Sequence, residues 1–343
     1  MIMVLLIALV LWLIGAAMGA PHRARWVMIA VLFAGVAIVQ LALPAGHPLR
    51  DATGGDVRLW LMIAVFVGIA LAYRAVLTRV RAHVQAREQP ATDASFSATE
   101  LDRYARHIVL REVGGPGQKA LKDAAVLVVG AGGLGSPALL YLAAAGVGTI
   151  GVIDDDTVDN SNLQRQVIHR DADIGTAKVR SAAAAMQAQN PNVAVKTYQR
   201  RLDDDIAAAL IAEYDLVLDG TDNFATRYLV NATCVQAGVP LVAAALTQWE
   251  GQISVYDPAK GAPCYRCIFP QAPDPALAPS CAEAGVIGPL PGVLGAMMAL
   301  EAVKVITGAG ETLRGRMMIY DALYGETRTI AMTPRADCPV CGG

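Results

Sequence analysis

Long apolar runs separate the first 80 or so residues from the rest of the chain. Residues 1–21 and 26–43 contain no charged side chain, and a third run, 59–73, lies between Arg58 and Arg74. Crossing the hydrocarbon core takes about 20 apolar residues, and flexible arginines at the ends allow a somewhat shorter run. The pattern predicts a membrane segment over residues 1–86. Its three transmembrane helices are expected at about 2–20, 26–43 and 57–77.

The arginines near these runs indicate an orientation. The first loop holds Arg23 and Arg25, and the stretch after the third run holds three more, at 79, 81 and 87. Positively charged loops stay in the cytoplasm. We therefore expect a multi-pass protein of the inner membrane, with its N-terminus outside and its C-terminal part in the cytoplasm. A cleaved signal peptide is the alternative for the first run, which ends in small residues but lacks the basic start of such a peptide.

A different pattern begins after residue 86. The polar, proline-containing stretch 87–96 predicts a linker. Ser97 and Glu100 then have the spacing of a capping box, which indicates a helix through about Leu110. From Ala124 onward, short β-branched runs alternate with helical patterns, as in a parallel α/β sheet, so we expect one domain over residues 97–343. Its strands are expected at 125–129, 149–153, 193–197, 216–218 and 240–243, with two more at about 251–256 and 317–320.

Charge limits the partners of the second part. Over the whole chain 55% of residues are hydrophobic, 17% are charged, and the formal net charge is −2. Residues 1–90 hold eight arginines, no lysine and three acids, so the remainder carries the acidic excess. Because nucleic-acid binding demands a basic face, the composition argues against a nucleic-acid partner.

A glycine-rich loop follows the first strand of the α/β pattern. The strand runs directly into Gly130-Ala-Gly-Gly-Leu-Gly135, and an apolar helix comes next. Such glycines allow a tight turn and let backbone N–H groups approach phosphate at the N-terminus of the helix. Asp154 ends the next strand, 19 residues after Gly135, where an acid hydrogen-bonds ribose hydroxyls. The loop predicts a nucleotide site; a glycine turn that only packs helix on strand is the alternative.

The residues that follow do not suit hydride transfer. Arg165 and Lys178 come after Asp154, and the pair Asp222-Asn223 comes after the strand at 216–218. Two cations near a nucleotide can neutralise a departing pyrophosphate, and Asp222 can hold Mg²⁺. The set therefore favours phosphoryl or nucleotidyl transfer over NAD chemistry.

These stretches resemble a known family. The glycine loop, Asp154, the string Ser161-Asn-Leu-Gln-Arg-Gln166, Lys178 and Thr221-Asp-Asn223 are similar to the MoeB, ThiF and HesA adenylyltransferases, the bacterial relatives of ubiquitin-activating enzymes. The resemblance covers about residues 97–343. It implies a Rossmann-like adenylation fold, α/β with a mostly parallel sheet and helices on both faces. It also implies ATP-dependent adenylation of the C-terminal Gly-Gly carboxylate of a small ubiquitin-fold sulfur-carrier protein.

The resemblance also implies a set of site residues. Arg106 matches an arginine that, in homodimers of this family, reaches into the neighbouring subunit's site, so a homodimer is expected. Arg165, Lys178 and Asp222 are the other expected catalytic residues. The expected cofactor-binding residues are Gly130, Gly132, Gly133, Gly135, Asp154, Ser161, Asn162, Leu163, Gln164, Arg165, Lys178, Asp222 and Asn223. A glycine carboxylate is already a nucleophile at neutral pH, so this chemistry needs cations and positioning rather than a general base.

Four of the six cysteines form two Cys-x-x-Cys pairs, Cys264/Cys267 and Cys338/Cys341. Four thiolates in this arrangement predict a structural Zn²⁺ site, which the resembling family also has. Disulfides are the alternative, and they do not suit a reducing cytoplasm. Cys281 stands apart, after a proline-rich stretch. At this position some family members carry a reactive thiol, so a nucleophile and an inert buried cysteine both stay open.

The combined expectation is a membrane-anchored, zinc-containing adenylyltransferase that uses ATP and Mg²⁺. Its expected substrate is the sulfur carrier of molybdopterin synthase, and a separate protein is expected to donate the sulfur. Activation of the thiamine-pathway carrier and a tRNA-modifying dehydratase are alternatives within the superfamily. An NAD-binding oxidoreductase and a membrane scaffold with a vestigial ATP site are alternatives from other classes.

Overall fold

The computed structural model divides the chain into two compact units, residues 1–93 and 94–343. Between residues 2 and 78 it describes 2–44, 46–54, 58, 60, 62, 65, 66, 68, 69 and 72–78. In the second unit it describes 96–273 and 284–342.

The helices of the first unit whose bounds are described are α1 (Ile2–Ala17), α2 (His22–Ala42) and α3 (Pro48–Ala52). Helix α2 has 21 residues and a mean hydropathy of 2.0, so it is long and apolar enough to cross a membrane, whereas α1 is shorter. Trp12 of α1 packs edge-on against Trp26 of α2, with ring centroids 5.0 Å apart. Of the third expected span, 57–77, thirteen residues are described, and all thirteen are helical. The other eight lie outside the described residues, so three spans remain a prediction.

The second unit begins with the expected capping box. Ser97 Oγ accepts a hydrogen bond from the Glu100 amide at 3.2 Å, and a Glu100 carboxylate oxygen accepts one from the Ser97 amide at 2.8 Å. Helix α4 (Ala98–Ile108) follows, two residues shorter than expected. The remaining helices are α5 (Gly114–Asp123), α6 (Gly135–Ala145), α7 (Lys178–Gln189), α8 (Asp204–Ile211), α9 (Phe224–Ala237), α10 (Tyr265–Ile268) and α11 (Pro289–Thr307).

Eight strands form one sheet in the order β3-β2-β1-β4-β5-β6-β7-β8. They are β1 (Ala125–Val129), β2 (Thr149–Ile153), β3 (Ala194–Tyr198), β4 (Leu216–Asp219), β5 (Leu241–Leu246), β6 (Glu250–Tyr256), β7 (Arg316–Asp321) and β8 (Glu326–Ala331). The first five strands in chain order pair in parallel, and β6, β7 and β8 pair antiparallel. The expected strands are present, and β8 is an additional strand.

Alternate residues of the central strands point into two cores, as the period of two in a strand requires. Val126 and Val128 of β1 pack with α6, α7 and α11, whereas Leu127 and Val129 pack with α8 and α9. Helix α11 also passes the length and hydropathy test for a membrane span, but it packs in the first of these cores. The expected α/β class, with a mostly parallel sheet and helices on both faces, is confirmed.

Candidate active site

A cavity of about 780 Å³ lies at the carboxyl ends of β1, β2, β4 and β5. The connection after β3 returns to β4 on the other side of β1, so the crevice is at the point where the strand order reverses. Open α/β sheets bind their ligands at such a point. Nine of the expected site residues line the cavity: Gly130, Gly132, Gly133, Asp154, Asn162, Arg165, Lys178, Asp222 and Asn223.

Four of the expected cofactor-binding residues lie outside the lining of the cavity: Gly135, Ser161, Leu163 and Gln164. Gly135 is the first residue of α6, and a Cβ there would lie 1.9 Å from the carbonyl oxygen of Gly130. The absence of a side chain at Gly135 lets helix α6 and the loop approach each other, and its expected contact with the nucleotide remains a prediction. Gly130 itself has φ +93°, a conformation that side chains rarely adopt, and its amide donates to the Ile153 carbonyl at 2.9 Å.

Asp154 connects the glycine loop to the end of β2. One carboxylate oxygen accepts from the Ala131 amide at 2.8 Å, and the other accepts from the Asp156 amide, also at 2.8 Å. Each carboxylate oxygen has a second lone pair, so Asp154 can still accept from a sugar hydroxyl.

His169 holds the same loop from the other side, and the sequence did not single it out. Its Nε2 lies 3.0 Å from the Ala131 carbonyl oxygen, and its Nδ1 lies 2.9 Å from Ser181 Oγ, which itself lies 2.8 Å from a carboxylate oxygen of Asp173. The ring is buried, and this burial lowers the pKa of His169 below its usual 6.5. A neutral imidazole can donate from Nε2 to Ala131. A lone histidine between Ile168 and Arg170 carries no motif that would reveal this role.

Arg165 is oriented by the turn that precedes it, a short 3₁₀ helix at Asn160–Asn162. Its guanidinium donates to Asn162 Oδ1 at 2.9 Å and to the Ser161 carbonyl at 3.2 Å. Gln166, also in the lining, donates to the same Asn162 oxygen at 3.1 Å. Gln166 is buried, and its side-chain oxygen has no hydrogen-bond partner within the described part of the chain, so it can accept from a bound molecule.

Lys178 is the first residue of α7, and its side chain is buried. Its Nζ lies 2.8 Å from a carboxylate oxygen of Asp156, which is exposed on the same cavity. Of the two expected cations that line the cavity, Arg165 is therefore oriented by an amide and a carbonyl, and Lys178 is paired with an acid.

The loop after β4 brings Asp222 to the cavity. Asn223 caps α9 by accepting from the Thr226 amide at 2.9 Å, and the buried Arg227 donates to the carbonyls of Thr221 and Ala244. Asp222 is exposed beside this fixed turn. An exposed carboxylate is a ligand that Mg²⁺ prefers, so Asp222 fits the expected metal.

Two further expected residues do not join this group. Arg106 is exposed on α4 and does not line the cavity, and Cys281 lies outside the described residues. Their expected roles at the partner's site and as a thiol nucleophile remain predictions.

The two Cys-x-x-Cys pairs meet at α10, which contains Cys267 and follows Cys264. The Sγ atom of Cys264 lies 3.8 Å from that of Cys267 and 3.6 Å from that of Cys338. The Sγ atom of Cys267 lies 3.4 Å from that of Cys341. Four thiolates around a tetrahedral Zn²⁺ stand about 3.8 Å apart, whereas a disulfide requires about 2.05 Å. Burial raises the pKa of the Cys264 thiol. Burial opposes ionisation of Cys338 too, but hydrogen bonds from the backbone of Cys341 and Val340 lower its pKa to about 7. The group fits a structural zinc.

The fold and the cavity define a Rossmann-like nucleotide-binding domain whose cations suit nucleotidyl transfer. The chain belongs to the ThiF family, whose model matches residues 104–340. It is 50% identical over 248 residues to the SAMP-activating enzyme E1 of Haloferax volcanii, covering 72% of this chain and 91% of that protein. It is 49% identical over 251 residues to the sulfur carrier protein adenylyltransferase of Thermus thermophilus, covering 72% of this chain and 93% of that protein. The expected adenylyltransferase is thereby confirmed.

Other relatives are longer. The adenylyltransferase and sulfurtransferase MOCS3 of Mus musculus is 49% identical over 253 residues, which are 74% of this chain but 55% of that protein. Among solved structures, that of E. coli MccB with ATP is similar at a TM-score of 0.63 and 26% identity, covering 70% of this chain and 75% of that one.

Proposed function

We propose that this protein uses ATP to adenylate the C-terminal Gly-Gly carboxylate of a ubiquitin-fold sulfur carrier. The observation that carries the proposal is the pair of cations, Arg165 and Lys178, in one cavity with the glycine loop and Asp154. An isolated Rossmann glycine loop would serve NAD equally well, but two cations at the phosphates suit departure of pyrophosphate.

The reaction follows from the charges in the cavity. A carboxylate oxygen of the carrier attacks the α-phosphorus of ATP, an acyl–phosphate bond forms, and the bond to the β-phosphate breaks with its electron pair leaving on pyrophosphate. Asp154 can hold the ribose, and Arg165 and Lys178 can neutralise the departing charge. Asp222 would hold a Mg²⁺ ion, which supplies further charge neutralisation. The cysteine cluster would hold Zn²⁺ away from the reacting atoms and stabilise the C-terminal segment.

The name of one relative, the sulfur carrier protein adenylyltransferase, supports a sulfur-carrier protein as the acceptor. We propose the molybdopterin-synthase carrier in particular, because the resemblance to MoeB extends to Glu250-Gly-Gln-Ile253 and to residues 281–286. Glu250 and Gln252 line the cavity. The thiamine-pathway carrier is the alternative.

We further propose that the enzyme works as a homodimer in which the exposed Arg106 reaches the neighbouring cavity. The apolar N-terminal unit, which the family match does not include, would anchor it in the inner membrane with the second unit in the cytoplasm. A separate protein would donate the sulfur.

Pyrophosphate exchange into ATP, measured with a panel of purified carriers, tests the function. We expect exchange with the molybdopterin-synthase carrier and none with the same carrier lacking its terminal Gly-Gly. Arg165→Ala and Lys178→Ala should each lower the rate by about 10²-fold or more, about 3 kcal/mol of transition-state stabilisation. Arg180→Ala is the matched control, because Arg180 is exposed on the same helix as Lys178 and does not line the cavity.

Three results would contradict the proposal. Exchange that survives both substitutions would remove the assigned roles. Exchange only with the thiamine-pathway carrier would change the substrate. NADH binding without any exchange would favour an oxidoreductase.

A further inference from the structure

Lys178 pairs with Asp156, an acid to which the proposed reaction assigns no role. Lys178 Nζ lies 2.8 Å from the Asp156 carboxylate, and the exposed fractions of the two side chains are 6% and 66%. A buried ammonium group without a counter-ion costs folding free energy, so the lysine needs this acid when no anion is bound. The acid does not need the lysine, because water already solvates it.

The backbone fixes this pair in place. The Asp156 amide donates to Asp154 at 2.8 Å, and the Asp156 carbonyl accepts from the Lys178 amide at 3.0 Å. An antiparallel bridge between Thr157 and Ala177 continues the contact. Asp156 is therefore held between the acid expected at the ribose and the lysine expected at the phosphates.

We propose that Asp156 is a positioning residue, an exchangeable counter-ion that holds Lys178 in the cavity until the phosphates of ATP replace it. The proposal rests on ATP as the ligand of the proposed function. The pair stabilises the empty site, and it must separate when Lys178 turns to the nucleotide. Once the bond to pyrophosphate has broken, Asp156 pairs with Lys178 again and so favours release of pyrophosphate.

The exchange has a signature that a purely structural role lacks. In Asp156→Asn, ATP no longer competes with a carboxylate for Lys178, so ATP should bind more tightly, while the empty protein should unfold at a lower temperature. Since the residue also aids release, kcat of the exchange should fall together with KM. Loss of a structural residue would instead weaken binding.

A matched control separates competition from the general effect of removing a negative charge. Asp155 is also exposed and also lines the cavity. Among the described acidic residues, Asp156 and not Asp155 has a carboxylate oxygen within 4.0 Å of Lys178 Nζ. Asp155→Asn removes the same charge without removing the pair. Asp156→Glu keeps a carboxylate that can still reach the lysine.

The experiment measures ATP binding by calorimetry, without any carrier, on the full chain in detergent micelles, together with thermal unfolding with and without ATP. We expect Asp156→Asn to lower the Kd for ATP by about 3- to 10-fold, the range of a partly exposed ion pair. It should also enlarge the shift of unfolding temperature that ATP produces. Asp155→Asn and Asp156→Glu should remain within about twofold of the wild type.

Equal effects of Asp155→Asn and Asp156→Asn, or weaker ATP binding by Asp156→Asn, would overturn the inference. Neither result would contradict the proposed function, because that function is tested by pyrophosphate exchange of the wild type. Failure of the wild type to exchange pyrophosphate with any carrier, while it still binds ATP and the Asp156 variants behave as expected, would overturn the proposed function alone.

Discussion

Replacing Gly135 with alanine separates a packing role from a ligand-binding role within the glycine loop. The added Cβ would lie 1.9 Å from the Gly130 carbonyl oxygen and 2.9 Å from its carbon, both backbone atoms. The Gly130 amide is bonded to the Ile153 carbonyl, so the loop cannot yield without losing that bond. At Gly132, by contrast, the nearest atom to an added Cβ is the Gln166 side-chain nitrogen at 3.8 Å, an ordinary contact.

These distances set the expected loss of folding stability for each variant. Overpacking a close-packed site costs about 1–3 kcal/mol, and a contact as short as this one places Gly135→Ala near the upper end. For a domain of about 250 residues, a cost of about 3 kcal/mol lowers the unfolding temperature by about 6–12 °C. Gly132→Ala should change that temperature by no more than about 2–4 °C, the shift that 1 kcal/mol produces, but it should weaken ATP binding because Gly132 lines the cavity.

Near-ultraviolet circular dichroism during heating measures the stability of both variants, and calorimetry at 20 °C or below measures ATP binding by the folded protein. The two variants should rank in opposite order in the two assays. A Gly135→Ala protein that unfolds at the wild-type temperature would refute the packing argument. If that same variant failed to bind ATP, Gly135 would be a ligand-binding residue after all.

Three other predictions follow from the metal, from the buried histidine and from the apolar unit. Elemental analysis should find one Zn²⁺ per chain, and Cys338→Ser should lower thermal stability more than ATP affinity, because the site is structural; a metal-free, fully active protein would contradict this. Because burial lowers the pKa of His169 below 6.5, its contribution to stability is complete above pH 6.5 and is lost as the pH falls through the lowered pKa. The unfolding temperature should thus fall more steeply between pH 7.5 and pH 5 for the wild type than for His169→Gln, which keeps a donor toward Ala131; equal slopes would show that His169 does not titrate differently on folding. A chain of residues 91–343 should be soluble, dimeric and able to adenylate its carrier, whereas the full chain should fractionate with membranes and resist extraction by high salt; extraction of the full chain by salt would contradict the membrane model.

The sequence predicted the parallel half of the sheet well, for a physical reason. Strands buried on both faces read as short continuous β-branched runs, and β1 and β2 are of this kind. Strand β8 was missed because all six residues of Glu326–Ala331 are exposed, so no burial pattern marks them. The change to antiparallel pairing was also missed, although three residues between β5 and β6 are too few for a crossover.

Within the site, the spacing of motifs predicted which segments meet, but it did not separate the nine expected residues that line the cavity from the four that do not. The carboxyl ends of neighbouring parallel strands meet at one edge, so Asp154 and Asp222 were expected together. His169 and the partner of Lys178 could not be predicted, because each depends on a contact between segments that only the folded chain brings together. The sequence also predicts that Gly135 contacts the nucleotide, and the structure adds a packing role, because an added Cβ would meet the Gly130 carbonyl oxygen. A motif alone does not distinguish a glycine that makes room for helix packing from one that makes room for phosphate.

The string Ser161–Gln166 shows why a specific motif need not be a row of ligand contacts. The Asn162 side-chain oxygen accepts from both Arg165 and Gln166, and the Ser161 carbonyl accepts from Arg165 as well. Ser161 in turn donates its hydroxyl to Asp159, which caps the 3₁₀ turn. Ser161 and Asn162 thus orient the side chain of Arg165. A cation that is already oriented loses less side-chain entropy when it binds an anion. The specificity of such a motif comes from the turn that supports Arg165 as much as from the arginine itself.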